Sequence, residues 1–170
     1  EMFQILHKAT ETAEGTPSVM VGMEEIGDSP IRYWRGDVWH AGAAKIGTPY
    51  YTQHLNVRPL PCINCPVGCH RHIDVVLRDG SRLVGNGPEY ETLGLMGSSL
   101  CIEDLDAIAV ANDRCNRAGV DTVSSGAFIG FIIECYESGL LTEEQVGMVP
   151  KWSDPETLFF LLDKIIKNEG

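Results

Sequence analysis

Three cysteines, Cys62, Cys65 and Cys69, stand at C-x2-C-x3-C spacing in the stretch Pro61-Cys62-Ile63-Asn64-Cys65-Pro66-Val67-Gly68-Cys69-His70. Asn64 and Gly68, with Pro61 and Pro66 beside them, mark a turning loop rather than a helix or strand. Such a loop can fold three thiolates around one centre, because Gly accepts unusual backbone angles and Pro stiffens the turn. Iron–sulfur clusters are held by Cys thiolates at short spacings of this kind, and zinc also takes closely spaced Cys. The plainer alternative is buried or redox-active thiols without metal. It suits the scattered Cys101, Cys115 and Cys135 better than three cysteines packed into eight residues.

Two acidic positions follow. Glu89 and Glu91 flank Tyr90 at the expected start of a helix. Either they complement the helix dipole, or one points into a cavity as a general acid or base. Successive helical residues turn by about 100°, so only one of the pair is expected to face a small site, and Glu89, nearer the turn, is favoured. Asp121 is a helix N-cap by its position before Thr122. A ligand at that helix N-terminus is the functional alternative. His70 and His72, next to the cysteines, either tune a redox centre by hydrogen bonding or serve as polar cover. His7, His40 and His54 show no recognisable spacing.

These residues need elements to place them. Residues 2–13 carry Met2, Phe3, Ile5, Leu6 and Ala9 at near-helical spacing, stopped by Gly15. Residues 31–47 hold Trp34 and Trp39 without a clean period and read as irregular. Pro49 opens a short helix to about Leu55. Residues 72–84 alternate around Asp79-Gly80, a strong hairpin turn signal. After Pro88 the chain becomes helical: about 89–97, 103–118, 122–139, a capping box at Thr142 to Gln145, and another at Ser153 to Glu156 opening a last helix. The fold class is therefore mainly α: a multihelical domain with an irregular N-terminal part, a cysteine loop and one small β-hairpin.

The chain has 170 residues, 44% apolar and 22% charged, enough for one domain with a real core. A net charge of −11 argues against nucleic-acid binding. No run approaches the length of a membrane span, and Glu1-Met2-Phe3-Gln4 shows no secretory signal. Cysteine usage reads as intracellular and metal-binding, hence a cytoplasmic protein. Helix-like residues at both ends suggest a segment of a longer multidomain chain, with 1–170 a single domain.

Three blocks in order resemble the aldehyde:ferredoxin oxidoreductase family: Cys62 to Cys69, Gly87-Pro88-Glu89-Tyr90-Glu91-Thr92-Leu93, and Ala111-Asn112-Asp113-Arg114-Cys115-Asn116-Arg117-Ala118-Gly119-Val120-Asp121-Thr122-Val123-Ser124-Ser125-Gly126. The resemblance implies the first helical domain of a tungsten (or molybdenum) bis-pterin enzyme. Such an enzyme oxidises aldehydes to carboxylic acids and passes electrons through a 4Fe–4S cluster to ferredoxin or another electron-transfer subunit. It further implies Cys62, Cys65 and Cys69 as metal-cluster ligands, with a fourth ligand far downstream. Glu89 or Glu91 falls at the active-site glutamate and Asp121 in a pterin-approaching segment. Here Asp121 is followed by Thr-Val-Ser-Ser-Gly, which departs from the family's D-x-x-G-L-C/D pattern. Homo-oligomerisation is compatible with this reading. The alternatives are a related tungsten-pterin reductase of carboxylates or aryl-CoA thioesters, and a non-catalytic binding module stabilised by zinc or a cluster.

Overall fold

Alternation decides the sheet. In His70-Arg71-His72-Ile73-Asp74-Val75 every second side chain is buried, so one face of the strand packs on the core and the other stays half-open. The computed structural model describes residues 13–169. Within them, β1 (Arg58–Leu60), β2 (His70–Val76) and β3 (Arg82–Asn86) form an antiparallel sheet in the order β1-β2-β3. Leu60 pairs with His70, and Val75 pairs with Leu83. The expected hairpin is β2–β3, closed where Gly80 takes φ +84° and Asp79 accepts hydrogen bonds from both the amide and the hydroxyl of Ser81. β1 was not expected. Pro59 lies in it, which an edge strand tolerates.

The helices are α1 (Met20–Glu25), α2 (His40–Ile46), α3 (Tyr50–His54), α4 (Tyr90–Thr92), α5 (Leu105–Ala118), α6 (Thr122–Glu137), α7 (Glu143–Val146) and α8 (Pro155–Lys167). Their local signals explain most boundaries. Asp104 accepts from the Ala107 amide to start α5, and Gly119 ends it in a left-handed conformation. Thr142 and Gln145 close a reciprocal capping box on α7. At α8 the cap is Asp154, which takes the amides of Glu156 and Thr157, with Pro155 in the first turn. The box expected from Ser153 to Glu156 is therefore replaced by a single aspartate cap one residue later.

The irregular reading of residues 31–47 holds only for its first part. Arg32, Tyr33 and Trp34 form a left-handed turn with φ of 48°, 52° and 62°, a conformation costing about 1–2 kcal/mol per residue. Tertiary contacts offset it. The Tyr33 amide donates to Ser99 O at 3.0 Å, and Arg32 and Arg35 pair with Glu137. After this turn comes α2, which sequence reading misses. Its start is fixed not locally but by Glu24 of α1, whose buried carboxylate accepts from the amide of the N-cap residue Trp39 at 2.7 Å and contacts His40 Nδ1. A cap supplied from another helix leaves no mark in the local pattern. The helix expected over residues 2–13 lies, except for its last residue, outside the described residues.

Among the described residues the core forms where α4, α5, α6 and α8 meet the buried face of the sheet, through Leu93, Met96, Ile108, Ile129, Leu158 and Ile73 among others. α4 continues as a wide π turn, Leu93–Ser98, a feature often found near functional sites. α6 lies on this turn closely enough that a Cβ at Gly126 would fall 2.6 Å from Leu95 O. Backbone cannot yield there as a side chain can. Replacing Gly126 by Ala is expected to destabilise the protein by about 1–3 kcal/mol. Chemical denaturation checks this, and a midpoint equal to the parent's would show that α6 can lift off the π turn at no cost.

Candidate functional site

The cysteine loop connects β1 to β2. It turns on itself where Cys65 N donates to Cys62 O at 3.0 Å, and Asn64 and Gly68 take φ of +61° and +60°. Cys62 is exposed, and Cys65 and Cys69 are half-buried; all are free thiols. Ile63 projects from the loop tip with 94% exposure. Among the described residues, no group of three or more His, Cys, Asp or Glu side chains converges as the ligands of one metal ion. A zinc ion needs its sulfurs about 2.3 Å from a common point, whereas a cluster presents a separate iron to each thiolate. The donors on this loop, all soft thiols on one accessible turn, fit a cluster by their chemistry and do not form a preformed single-ion cage. Cys115 and Cys135 are buried and Cys101 is half-buried. Burial pushes the thiols of Cys101 and Cys115 up, consistent with packed, inert side chains.

A cavity of about 300 Å³ lies beside the loop, between the end of β3 and the starts of α4 and α6. Its walls include His70, Glu89, Glu91, Asn112, Asn116 and Thr122. Glu89 is the N-cap of α4, in extended backbone with φ −79° and ψ 170°. Its carboxylate accepts from the Thr16 hydroxyl and contacts His70 Nδ1 at 2.6 Å. The Thr16 hydroxyl in turn accepts from Tyr90 N at 3.0 Å. The expectation that only one glutamate could face a small site does not hold. Glu89 precedes the helix and escapes the rotation of about 100° per residue that separates helical neighbours. Both glutamates line the cavity, Glu89 half-buried and tethered, Glu91 exposed. Across it, Asn112 is anchored by donating to Asn86 O at 2.9 Å, and Thr92 and Thr122 share a hydrogen bond of 2.8 Å.

Between loop and cavity lies a buried polar joint. Tyr51 donates to Pro88 O at 3.0 Å, and a Cβ on Gly87 would fall 2.2 Å from the Tyr51 hydroxyl oxygen. Burial, reinforced by the charge of Glu89, holds the Tyr51 phenol far above its ordinary pKa, so it remains a neutral donor. Arg71 is 1% exposed and donates to Gly68 O at 2.7 Å and to His70 O at 3.0 Å. Burial lowers its pKa, and Tyr51, Glu89, Cys69 and Glu14 act in the opposite direction.

Sequence reasoning singled out the cysteines and both glutamates, and the fold brings them to adjacent regions. It missed Arg71, Thr16 and Tyr51. Arg71 carried a signal, being in phase with the buried Ile73 and Val75 along β2. Thr16 and Tyr51 carried none, since their roles come from contacts across the chain. His70 is placed against Glu89. His72 stands on the same half-open face of β2. Asp121 is elsewhere. It is exposed, its carboxylate accepts from Ser124 N at 2.6 Å as the N-cap of α6, and it borders an apolar groove between α6 and α8 rather than the Glu89 cavity.

Residues 6–170 match the family model described as aldehyde ferredoxin oxidoreductase, domains 2 & 3. The chain is 34% identical over 158 residues to the tungsten-containing aldehyde ferredoxin oxidoreductase of Pyrococcus furiosus, covering 92% of this chain and 25% of that protein. The corresponding protein of Thermococcus kodakarensis is 33% identical over 153 residues, covering 89% and 24%. An aliphatic sulfonate oxidoreductase, WOR-like subunit, of Pyrococcus furiosus is 29% identical over 106 residues, covering 62% and 17%. The chain thus spans about a quarter of the length of the aldehyde ferredoxin oxidoreductases it matches.

The hydrogen bond from Ser124 N holds the Asp121 carboxyl below its ordinary pKa. Asp121→Ala is expected to cost about 1 kcal/mol as a lost helix cap. Because the folded-state pKa is depressed, the parent's advantage is complete above the ordinary aspartate value of about 3.9 and is lost as pH falls through the depressed one. Thermal unfolding of parent and variant at several pH values tests this. A pH-independent difference would deny that the charged carboxylate is what caps α6.

Proposed function

The chain belongs to the aldehyde ferredoxin oxidoreductase family, and from that premise we propose that it is the helical, cluster-bearing domain of a tungsten-pterin oxidoreductase acting on aldehydes. In this reading Cys62, Cys65 and Cys69 hold a 4Fe–4S cluster, and a carboxylate of the neighbouring cavity handles protons. The observation that carries it is adjacency. Cys69, the last thiol of the loop, is followed immediately by His70, which touches Glu89. On this reading the electron site and the proton site meet where the cysteine loop enters β2.

When bound, the tungsten-pterin supplies the two-electron oxidation and the cluster a one-electron relay. Oxidation of an aldehyde with water yields a carboxylic acid, two protons and two electrons, so a base must stand near the reacting carbon. Glu89 suits that task because its carboxylate already accepts from the Thr16 hydroxyl and lies against His70, which leaves little to reorganise when a proton arrives. Glu91 is on the exposed rim and can carry the proton outward. Asn112 and Asn116 offer amides to a polar substrate. Asp121 acts as the cap of α6, and a pterin contact through it would have to displace its bond to Ser124 N.

Other assignments follow the same proposal. Residues 1–170 form one domain, and electrons leave to ferredoxin or another electron-transfer subunit. A cytoplasmic location keeps the loop thiols reduced, and a homo-oligomer is compatible.

Two expected outcomes test the proposal in the full-length enzyme. Cys65→Ser should lower iron content and abolish the paramagnetic signal of the reduced cluster. Iron and signal at parent levels would remove Cys65 from the ligand set. Glu89→Gln should slow aldehyde oxidation by about 10²–10⁴-fold with metal content intact, and Glu91→Gln should slow it less. Parent rates in both variants would leave the pair as dipole complements of α4.

A further inference from the structure

Arg71 occupies a position where an aliphatic residue belongs. Along β2 it shares the buried face with Ile73 and Val75, yet it carries a guanidinium with 1% exposure. A buried charge persists only where its donors and its field are met. Its Nη1 meets the carbonyls of Gly68 and His70 at 2.7 and 3.0 Å, one at the end of the cysteine loop and one just past it. Its own carbonyl accepts from Gly87 N at 2.8 Å, on the segment leading to Glu89. Space for the head group depends on Gly15, where a Cβ would fall 2.8 Å from both Arg71 Nε and Cys69 O, and where φ is +81°. The guanidinium therefore sits behind the last turn of the loop, at the joint with the cavity. Cys69, Glu89, Tyr51 and Glu14 are the groups that face it.

We propose that Arg71 is a positioning residue with two effects: its Nη1 closes the Cys62–Cys69 loop through the carbonyls of Gly68 and His70, and its fixed positive charge raises the reduction potential of the centre that the loop holds. This rests on the reading that the loop binds a cluster. A reduced cluster carries one more negative charge than an oxidised one. A nearby buried cation favours the reduced form, and its field is weakly screened where water is excluded. Cluster potentials are set by net charge, hydrogen bonding and exposure. The two effects separate chemically. Lysine keeps the charge, but its shorter side chain does not carry a nitrogen to the place where Nη1 meets both carbonyls, whereas glutamine keeps a donor and loses the charge.

The experiment is a potentiometric titration of the cluster's paramagnetic signal in the full-length enzyme, with iron release to a chelator measured alongside. In Arg71→Gln, the oxidised-to-reduced ratio at a fixed potential should rise about tenfold. In Arg71→Lys, the midpoint should stay near the parent's while iron is released faster. A Gln variant with full iron and the parent midpoint overturns the electrostatic effect. A Lys variant releasing iron at the parent rate overturns the positioning effect. If the Gln variant does not take up iron, the Lys variant decides: faster release with an unchanged midpoint supports the proposal, and a lowered midpoint overturns it, since the charge is still present. A parent enzyme without iron would instead sink the reading of the loop as a cluster site.

Discussion

A guanidinium withdrawn from water constrains everything around it. Desolvating such a charge costs several kcal/mol unless hydrogen bonds and opposite charges make up the loss, and at Arg71 they come from the turn of the cysteine loop into β2 and from the approach to α4. The loop offers the carbonyl of Gly68, the strand that of His70, and the approach to α4 the carboxylate of Glu89. Gly15 must stay without a side chain for the head group to fit. The cysteine loop, the sheet and the start of α4 are thus tied to one buried cation, and their relative placement does not rest on apolar packing alone.

That arrangement also explains what could be read from the sequence. Elements whose ends are satisfied by their own neighbours were legible: α5 from Asp104 to Gly119, α6 behind Asp121, α7 through Thr142 and Gln145. Elements whose ends are satisfied from elsewhere were not. α2 begins on the carboxylate of Glu24, sixteen residues before His40. The left-handed turn at Arg32 to Trp34 is held by Ser99 and by glutamates of α6. The cysteine loop declared itself because its signal is chemical and local. The cavity did not, because Thr16, His70 and Glu89 meet only after the sheet and α4 have formed.

The surface charge fits a division of labour. The chain carries a net −11, yet the cysteine loop itself contains no acidic residue, and its tip presents the exposed Ile63. Thiolates gathered on a strongly acidic background would repel one another. A neutral loop backed by a buried cation lowers that cost where the proposed cluster would place its negative charge. The acidic side chains that face Arg71, Glu89 and Glu14, are instead spent on hydrogen bonds: Glu89 with Thr16, and Glu14 as acceptor from Thr48 at 2.9 Å.

The two glutamates of the cavity differ in the way a proton pathway requires. A group that receives a proton at a reacting carbon gains from being held still, since motion lost beforehand is not lost in the transition state. Glu89 has that restraint from the Thr16 hydroxyl on one oxygen, and its other oxygen lies 2.6 Å from His70 Nδ1. A group that passes the proton to solvent gains from freedom, and Glu91, exposed in the first turn of α4, has it. The distinction arises from the backbone. Glu89 lies in extended chain just before the helix and can reach across to Thr16 and β2, whereas Glu91, inside the helix, has its direction set by the helical turn. The same break in conformation that lets both line one cavity gives them unlike environments, and it is that inequality which supports assigning the proton acceptor to Glu89.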